Sequence, residues 1–175
     1  LTRDVDAANK AIAFFPAVLR LNGGQFEGRP FDLHPSQQFR IGSLFGWKRA
    51  DGTRRFRRFY DEEAKGNGKS PVLAGIGMWC LLADKEDRAE VYAAASKKDQ
   101  AMVLFRDAVA MFQQSPAISA RLTPSGGNPV WNLADIRTGS FFRPISSDAG
   151  QSGPRPSCAL CDEVHEHPNG SMIEM

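Results

Sequence analysis

Residues 65–70 read Lys-Gly-Asn-Gly-Lys-Ser, and residues 159–163 read Ala-Leu-Cys-Asp-Glu. A glycine-rich turn that opens a helix aims several backbone N–H groups at one point, where they can bind phosphate oxygens. An Asp-Glu pair at the end of a short apolar strand supplies carboxylates for a metal ion and for activating a water molecule. In this order the two motifs indicate an α/β fold that binds a nucleoside triphosphate.

Working outward from the loop, apolar spacing predicts helices and strands that alternate along the chain. Helices are predicted over 6–20, where Pro16 would kink or divide the helix, over 35–47, over 70–82, and after Ser96 as a helix cap. In that last helix one apolar face is predicted to contain Val103, Leu104, Val109 and Phe112. Strands are predicted over 54–60, 89–95, 117–122, 129–134, 138–145 and 158–161. The pattern favours a P-loop NTPase-type three-layer α/β sandwich with a mostly parallel central sheet, which we expect to be incomplete at its carboxyl end.

The composition is that of an ordinary globular domain. The chain has 175 residues, a net charge of +2 and three cysteines, which favours one domain in a reducing compartment. It has no apolar run of the roughly 20 residues that a membrane span requires. Positive charge is concentrated between residues 48 and 58, where six cations accompany only Asp51. This cluster could attract the phosphates of a nucleotide or a nucleic acid, or it could be a solvated hairpin.

Each residue of the two motifs has an expected role in phosphate chemistry. Backbone groups of Gly66, Asn67 and Gly68 would surround the phosphates, while Lys69 reaches the β- and γ-phosphates. The hydroxyl of Ser70 and the carboxylate of Asp162 would bind Mg²⁺, and Glu163 would act as general base. The complete loop pattern has a further glycine at the position of Glu63.

The same carboxyl-terminal stretch permits a second interpretation. Cys158 and Cys161 are followed closely by His165 and His167, and these are the residue types that bind zinc. Strand residues three apart point to opposite faces, however, so the two thiols would not converge on one ion. The interpretation as small core residues is favoured, and zinc is the alternative.

Taken together, these motifs make the chain resemble the ATPase domain of phage terminase large subunits. The resemblance runs through Phe-Asp-Leu-His-Pro-Ser-Gln-Gln-Phe at 31–39, Ile-Gly-Ser-Leu-Phe-Gly-Trp at 41–47 and the stretch 51–60. It continues through the glycine-rich loop, residues 141–150, and Cys-Asp-Glu-Val-His-Glu at 161–166. This ordered set is much more specific than the Gly-Lys-Ser core alone.

The resemblance implies an ATPase that uses ATP and Mg²⁺ to drive double-stranded DNA into a procapsid. In that family the loop normally lacks its first glycine, a basic residue at the position of Lys65 assists near the triphosphate, and a glutamine contacts adenine. The matching glutamine here is Gln37, with Gln38 as a possible substitute.

It further implies a portal protein and a small terminase subunit as partners, a ring of identical copies, and a location in the bacterial host cytoplasm, transiently at the procapsid portal. We expect residues 1–175 to be one terminase-like ATPase domain truncated after the Asp-Glu strand, without the nuclease domain.

Two other functions fit the same residues. A helicase-like nucleic-acid translocase shares the adenine glutamine and the Asp-Glu strand, but would typically carry a second motor domain. A non-catalytic nucleotide- or DNA-binding remnant of a truncated prophage terminase would lack the downstream coupling motif.

Overall fold

A computed structural model describes residues 2–64, 66–146 and 153–164 of the chain. The chain divides into two units, residues 1–68 and residues 69–175. Within the described residues no helix combines the length and the apolar character needed to cross a bilayer.

Two helices, α1 (Val5–Val18) and α2 (Pro35–Gly46), form the core of the first unit. They pack closely, because a β-carbon added at Gly46 would lie 2.7 Å from the β-carbon of Ala8. Short strands β1 (Thr2–Arg3) and β2 (Trp47–Lys48) pair antiparallel beside them. The helix predicted over 6–20 is therefore present, and Pro16 lies in its last turn without dividing it.

A five-stranded sheet forms the centre of the second unit. Its strands are β3 (Glu90–Ala95), β4 (Thr123–Ser125), β5 (Asn132–Asp135), β6 (Ser140–Ser146) and β7 (Cys158–Cys161), in the order β4-β5-β6-β3-β7. Strand β3 is parallel to both of its neighbours, β6 and β7. Strand β5 is antiparallel to both β4 and β6, so it alone among the five runs in the opposite direction. The predicted α/β fold with a mostly parallel central sheet is confirmed.

Helices α3 (Lys69–Leu82) and α4 (Lys98–Gln114) pack on one face of this sheet, and a short helix α5 (Pro116–Ser119) follows them. Every residue from 74 to 81 is buried, as expected for an apolar helix without a charged face. Because this buried stretch packs against the sheet, it also fixes the position of the first turn of α3, which contains Lys69 and Ser70.

The contact between α3 and the sheet is closest at Gly77. A β-carbon there would lie 2.7 Å from both Phe142 Cε1 and Leu160 Cδ1, on strands β6 and β7. The ring of Phe142 also meets the ring of Phe105 from α4, with 5.3 Å between the ring centroids. Glycine is therefore required at this position by packing, because any side chain would push the helix away from the sheet.

The carboxyl end of α3 is held by an arginine that is paired with a buried carboxylate. Arg121 Nη1 donates a hydrogen bond to the carbonyl oxygen of Leu82 at 2.8 Å, and Arg121 Nε lies 2.6 Å from the fully buried carboxylate of Asp135 on β5. Burial alone would raise the pKa of Asp135, but the hydrogen bond and charge of Arg121 and the N–H of Arg137 lower it overall. A cation at the end of a helix is also favoured by the helix dipole.

Several local predictions were wrong. Residues 55–60 form no strand, and only Arg54 makes an isolated antiparallel bridge, to Lys48. The strand predicted over 117–122 is replaced by helix α5 and a turn, because Pro116 suits the first turn of a helix. The hairpin-type turn at Asp51 is present, with Arg49 N donating to Thr53 O at 2.9 Å.

The predicted start of α4 was wrong, and its predicted apolar face was right only in part: Leu104 is buried, and Val109 and Phe112 are half-buried. Lys97, not Ser96, occupies the cap position, and its side chain makes no capping hydrogen bond. Val103 is 55% exposed, while the buried face contains Ala101, Met102, Leu104, Phe105, Ala108 and Met111. The buried face is thus rotated relative to the predicted one, because two alanines and the large residues Met102, Phe105 and Met111 were not counted as core residues.

Replacing Asp135 by asparagine should destabilise the protein by about 2 kcal/mol at neutral pH, since a charge-assisted hydrogen bond to Arg121 is lost. Because the pKa of Asp135 is lowered by folding, its stabilising effect is present above the unfolded pKa, near 3.9, and disappears as the pH falls through the lower folded value. Urea unfolding of both proteins between pH 3 and pH 7 measures this difference.

The matched control is Asp32→Asn, at an exposed aspartate. It should leave the free energy of unfolding nearly unchanged at every pH. A difference between Asp135→Asn and the original protein that stays constant down to pH 3 would contradict the assigned role of the carboxylate.

Candidate nucleotide-binding site

The glycine-rich loop has the backbone conformation that its sequence predicts. Gly66 and Gly68 have positive φ angles of 90° and 76°, which side-chain-bearing residues rarely adopt. A β-carbon at either position would meet no other atom within 4 Å, so backbone conformation and not packing requires glycine here. The predicted helix begins at Lys69, directly after the loop. Lys65, the predicted basic residue near the triphosphate, lies outside the described residues.

Ser70 and Asp162 are 92 positions apart in the sequence, and the fold brings them into contact. Ser70 Oγ donates a hydrogen bond to Asp162 Oδ2 at 2.6 Å, and both residues are half-buried. Asp162 directly follows β7. The parallel pairing of β7 with β3 fixes where along the sheet β7 ends, and therefore where this carboxylate lies. These are the two residues that the sequence predicted as magnesium ligands.

Lys69 and Glu163 flank this pair along the chain. Lys69 directly precedes Ser70 in the first turn of α3, and Glu163 directly follows Asp162. Glu163 is exposed, has a positive φ of 47°, and its N–H donates to Asp162 Oδ1 at 2.9 Å. The backbone therefore orients the Asp162 carboxylate from one side while Ser70 holds it from the other.

The donor atoms at Ser70 and Asp162 suit a hard cation. Mg²⁺ prefers oxygen ligands and is commonly bound by one or two protein oxygens together with waters and substrate phosphates. A hydroxyl and a carboxylate in direct contact fit that pattern. The chemistry of the pair is therefore compatible with a magnesium–nucleotide complex.

The zinc alternative receives no support from the part of the chain that is described. No group of three or more His, Cys, Asp or Glu side chains there could hold a metal ion. Burial raises the pKa of the Cys161 thiol, and nearby Cys158 raises it further, so the neutral thiol is favoured over the thiolate that binds zinc. His165 and His167 lie outside the described residues.

Gln37, the predicted adenine contact, has a structural role in the first unit. It forms a capping box with His34 at the start of α2: its side-chain oxygen accepts a hydrogen bond from the His34 N–H at 2.9 Å. Gln38, the possible substitute, donates from Nε2 to the carbonyl oxygen of Leu33 at 2.9 Å. Both amides therefore already have hydrogen-bond partners, and a role for Gln37 in base recognition would come in addition to capping.

The acidic run before the loop is explained by a residue that sequence reasoning missed. Arg40 on α2 contacts the carboxylate of Asp61 at 2.5 Å and that of Glu63 at 2.6 Å. Burial by itself would lower the pKa of Arg40, but the hydrogen bonds and charges of these two acids raise it overall. The segment leading to the loop is thus tied to α2 by ion pairs and not by an apolar strand. The sequence contains one signal for this pairing. Arg40 lies three residues after Gln37 in the predicted helix, and a run of three acids follows at 61–63.

The sheet, its covering helices and the glycine-rich turn before α3 define an α/β protein of the P-loop type. The family model for the terminase large subunit, ATPase domain, matches residues 35–175. The chain belongs to this family of phage terminase large subunits.

Among solved structures, the HK97 bacteriophage large terminase has a similar fold. The two chains share 23% identity with a TM-score of 0.77, over 95% of this chain and 33% of that one. The chain therefore spans about a third of the length of that terminase. No curated protein matches.

Two substitutions at Gln37 separate capping from base recognition. Gln37→Ala removes the side-chain half of the capping box and should cost about 1 kcal/mol of stability. Gln37→Glu keeps an oxygen acceptor for the His34 N–H, so stability should be largely retained while the amide donor that adenine would need is lost. Thermal unfolding and ATP binding by calorimetry measure the two effects.

A Gln37→Glu protein that is stable but binds ATP more weakly, with GTP binding unchanged, would assign base recognition to Gln37. Equal ATP affinity in the stable Gln37→Glu protein would contradict it. Gln25→Glu, at an exposed glutamine of the same unit, is the matched control for added negative charge.

Proposed function

We propose that this chain binds ATP with Mg²⁺ and hydrolyses it, as the motor part of a phage terminase that moves double-stranded DNA into a procapsid. The single observation that supports this most strongly is the 2.6 Å hydrogen bond between Ser70 and Asp162. This contact brings together the glycine-rich loop motif and the Asp-Glu motif, and phosphate chemistry requires both of them at a single site. Membership of the terminase ATPase family supports the same proposal.

In this proposal the loop and α3 bind the polyphosphate. The N–H groups after Gly66 and Gly68 and the first turn of α3 face the phosphate oxygens, as helix N-termini commonly do. Lys69 neutralises charge on the β- and γ-phosphates, with Lys65 as a second cation near the triphosphate. Asn67 supplies a further backbone donor between the two glycines, and Gln37 contacts the adenine.

Ser70 and Asp162 are the magnesium ligands in this proposal. Bound magnesium supplies neutralisation of the charge that develops on the phosphate oxygens. The hydrogen bond between the two side chains keeps both oxygens directed to one point before the nucleotide arrives. Little side-chain ordering then remains to oppose binding.

Glu163 acts as the general base. Its backbone is held beside the magnesium ligand by the hydrogen bond to Asp162 Oδ1, while its exposed position leaves the carboxylate accessible to water. A carboxylate within one water molecule of the γ-phosphate can accept the proton of the attacking water. Positioning by Asp162 therefore supports this role.

The wider role comes from the family. The similar solved structure is named as a large terminase, and we propose double-stranded DNA, a portal protein and a small terminase subunit as partners. Assembly of several copies into a ring in the bacterial host cytoplasm, transiently at the procapsid portal, belongs to the same proposal.

Three variants test the site. Lys69→Ala should weaken ATP binding by at least about tenfold, because a cation that contacts two phosphates is lost. Glu163→Gln should retain ATP binding while turnover falls by about a hundredfold or more, as is typical when a general base is removed. Ser70→Ala should weaken binding in the presence of Mg²⁺ more than in EDTA. Calorimetry and a phosphate-release assay measure binding and turnover separately.

Lys10→Ala, at an exposed lysine on α1, is the control for loss of one positive charge and should change neither quantity. Equal binding and turnover in the original chain and in the Lys69 and Glu163 variants would reject the site. Binding without turnover in the original chain would leave a nucleotide-binding module and remove the hydrolytic part of the proposal.

A further inference from the structure

A second surface, outside the proposed nucleotide site, lies on the first unit. A cavity of about 210 Å³ opens there between α2 and the segment that follows the Asp51 turn. Its lining includes four aromatic side chains, Phe39, Phe56, Phe59 and Tyr60, together with Arg58. We call this the aromatic cavity.

The aromatic cavity is unusually apolar for a surface. Phe39 and Tyr60 are 75% and 74% exposed, and Phe56 and Phe59 are each 41% exposed. Single exposed apolar residues are ordinary, but a contiguous group of large rings around one cavity indicates a binding surface. The rings lie on two separate parts of the chain, so their clustering is a product of the fold and not of one apolar run.

Exposed arginines lie in the segment that lines the cavity, and Arg58 itself is one of the lining residues. Arg55, Arg57 and Arg58 are exposed, and within the described ranges none of them has an acidic partner at ion-pair distance. Arg40, which also lines the cavity, is already paired with Asp61 and Glu63. The remaining acid nearby is Glu62, 3.5 Å from the Tyr60 hydroxyl. The residues that line the aromatic cavity and their neighbours in the segment 55–62 therefore carry a positive excess.

We propose that the aromatic cavity is a docking site for an acidic segment of a protein partner, which inserts one bulky apolar side chain among the rings. Charge complementarity selects carboxylates around that side chain, paired with the three exposed arginines. Aromatic residues and arginine are the types that dominate the centres of protein interfaces.

The shape of the surface distinguishes this partner from nucleic acid. Duplex DNA presents phosphates and sugars on its outside, so it would use the arginines and leave four rings in water. Single-stranded nucleic acid uses aromatic rings as open stacking platforms along a groove. Here the rings instead line a cavity of about 210 Å³, a volume suited to a single inserted side chain.

The experiment is a selection from a random library of displayed peptides of about twelve residues, using the whole chain as the immobilised target. Peptides with several carboxylates around one leucine, isoleucine or phenylalanine should be enriched. The strongest peptide, synthesised with a fluorescent label, should bind at least about tenfold more weakly to Arg58→Ala and to Phe59→Ala. Phe39→Ala, on the helix side of the cavity, should give the same loss, and because Phe39 is 75% exposed this variant should fold as the original chain does.

The matched controls are Phe26→Ala and Arg29→Ala. Phe26 is 49% exposed and the Arg29 guanidinium lies 5.9 Å from its ring centroid, so this pair has the same chemistry away from the cavity. Both control variants should bind the peptide as the original chain does.

Enrichment of peptides without acidic residues, no enrichment at all, or equal loss in the controls would overturn the proposal. The proposal would also be overturned if labelled duplex or single-stranded DNA bound more tightly than the peptide and this DNA binding were lost in the Arg58 and Phe59 variants. The peptide test does not depend on ATP, so its failure is distinct from failure of the proposed nucleotide site.

Discussion

The second unit depends on how closely α3 lies against its sheet. Gly77 allows the helix backbone to approach Phe142 and Leu160, and the burial of residues 74–81 leaves the helix no freedom to slide. Arg121 fixes its carboxyl end through Leu82 and the buried Asp135. The helix is therefore held in its middle and at its carboxyl end. As a result its first turn, which contains Ser70, lies at the end of β7.

The parts that could be predicted from sequence are those whose signal is local. The turn needs glycine at 66 and 68 because of its positive φ angles, and the long uncharged apolar run over 70–82 predicts the buried helix observed as α3. Strands β3 and β7 are short apolar runs between polar loops, which is typical of buried parallel strands. The contact between Ser70 and Asp162 followed from placing those elements in a single α/β sheet.

The parts that failed depend on partners distant in sequence. The aromatic and arginine residues of 54–60 match strand propensity, but no neighbouring strand pairs with residues 55–60. Asp135 lies one residue beyond the strand predicted over 129–134, and the alternation with buried Leu133 places it on the inner face. A buried carboxylate requires a cation, and which of the chain's arginines supplies it is decided only by the tertiary fold.

The left-handed backbone at Glu163 has a consequence for the balance between stability and activity. Residues with a β-carbon are disfavoured there by roughly 1 kcal/mol, and glycine or asparagine would relax the turn. A chain selected only for thermal robustness would thus drift away from a carboxylate at this position. If Glu163 is the proposed base, the protein gives up some folding free energy to keep an exposed carboxylate beside Asp162, and stabilising changes there would lower turnover.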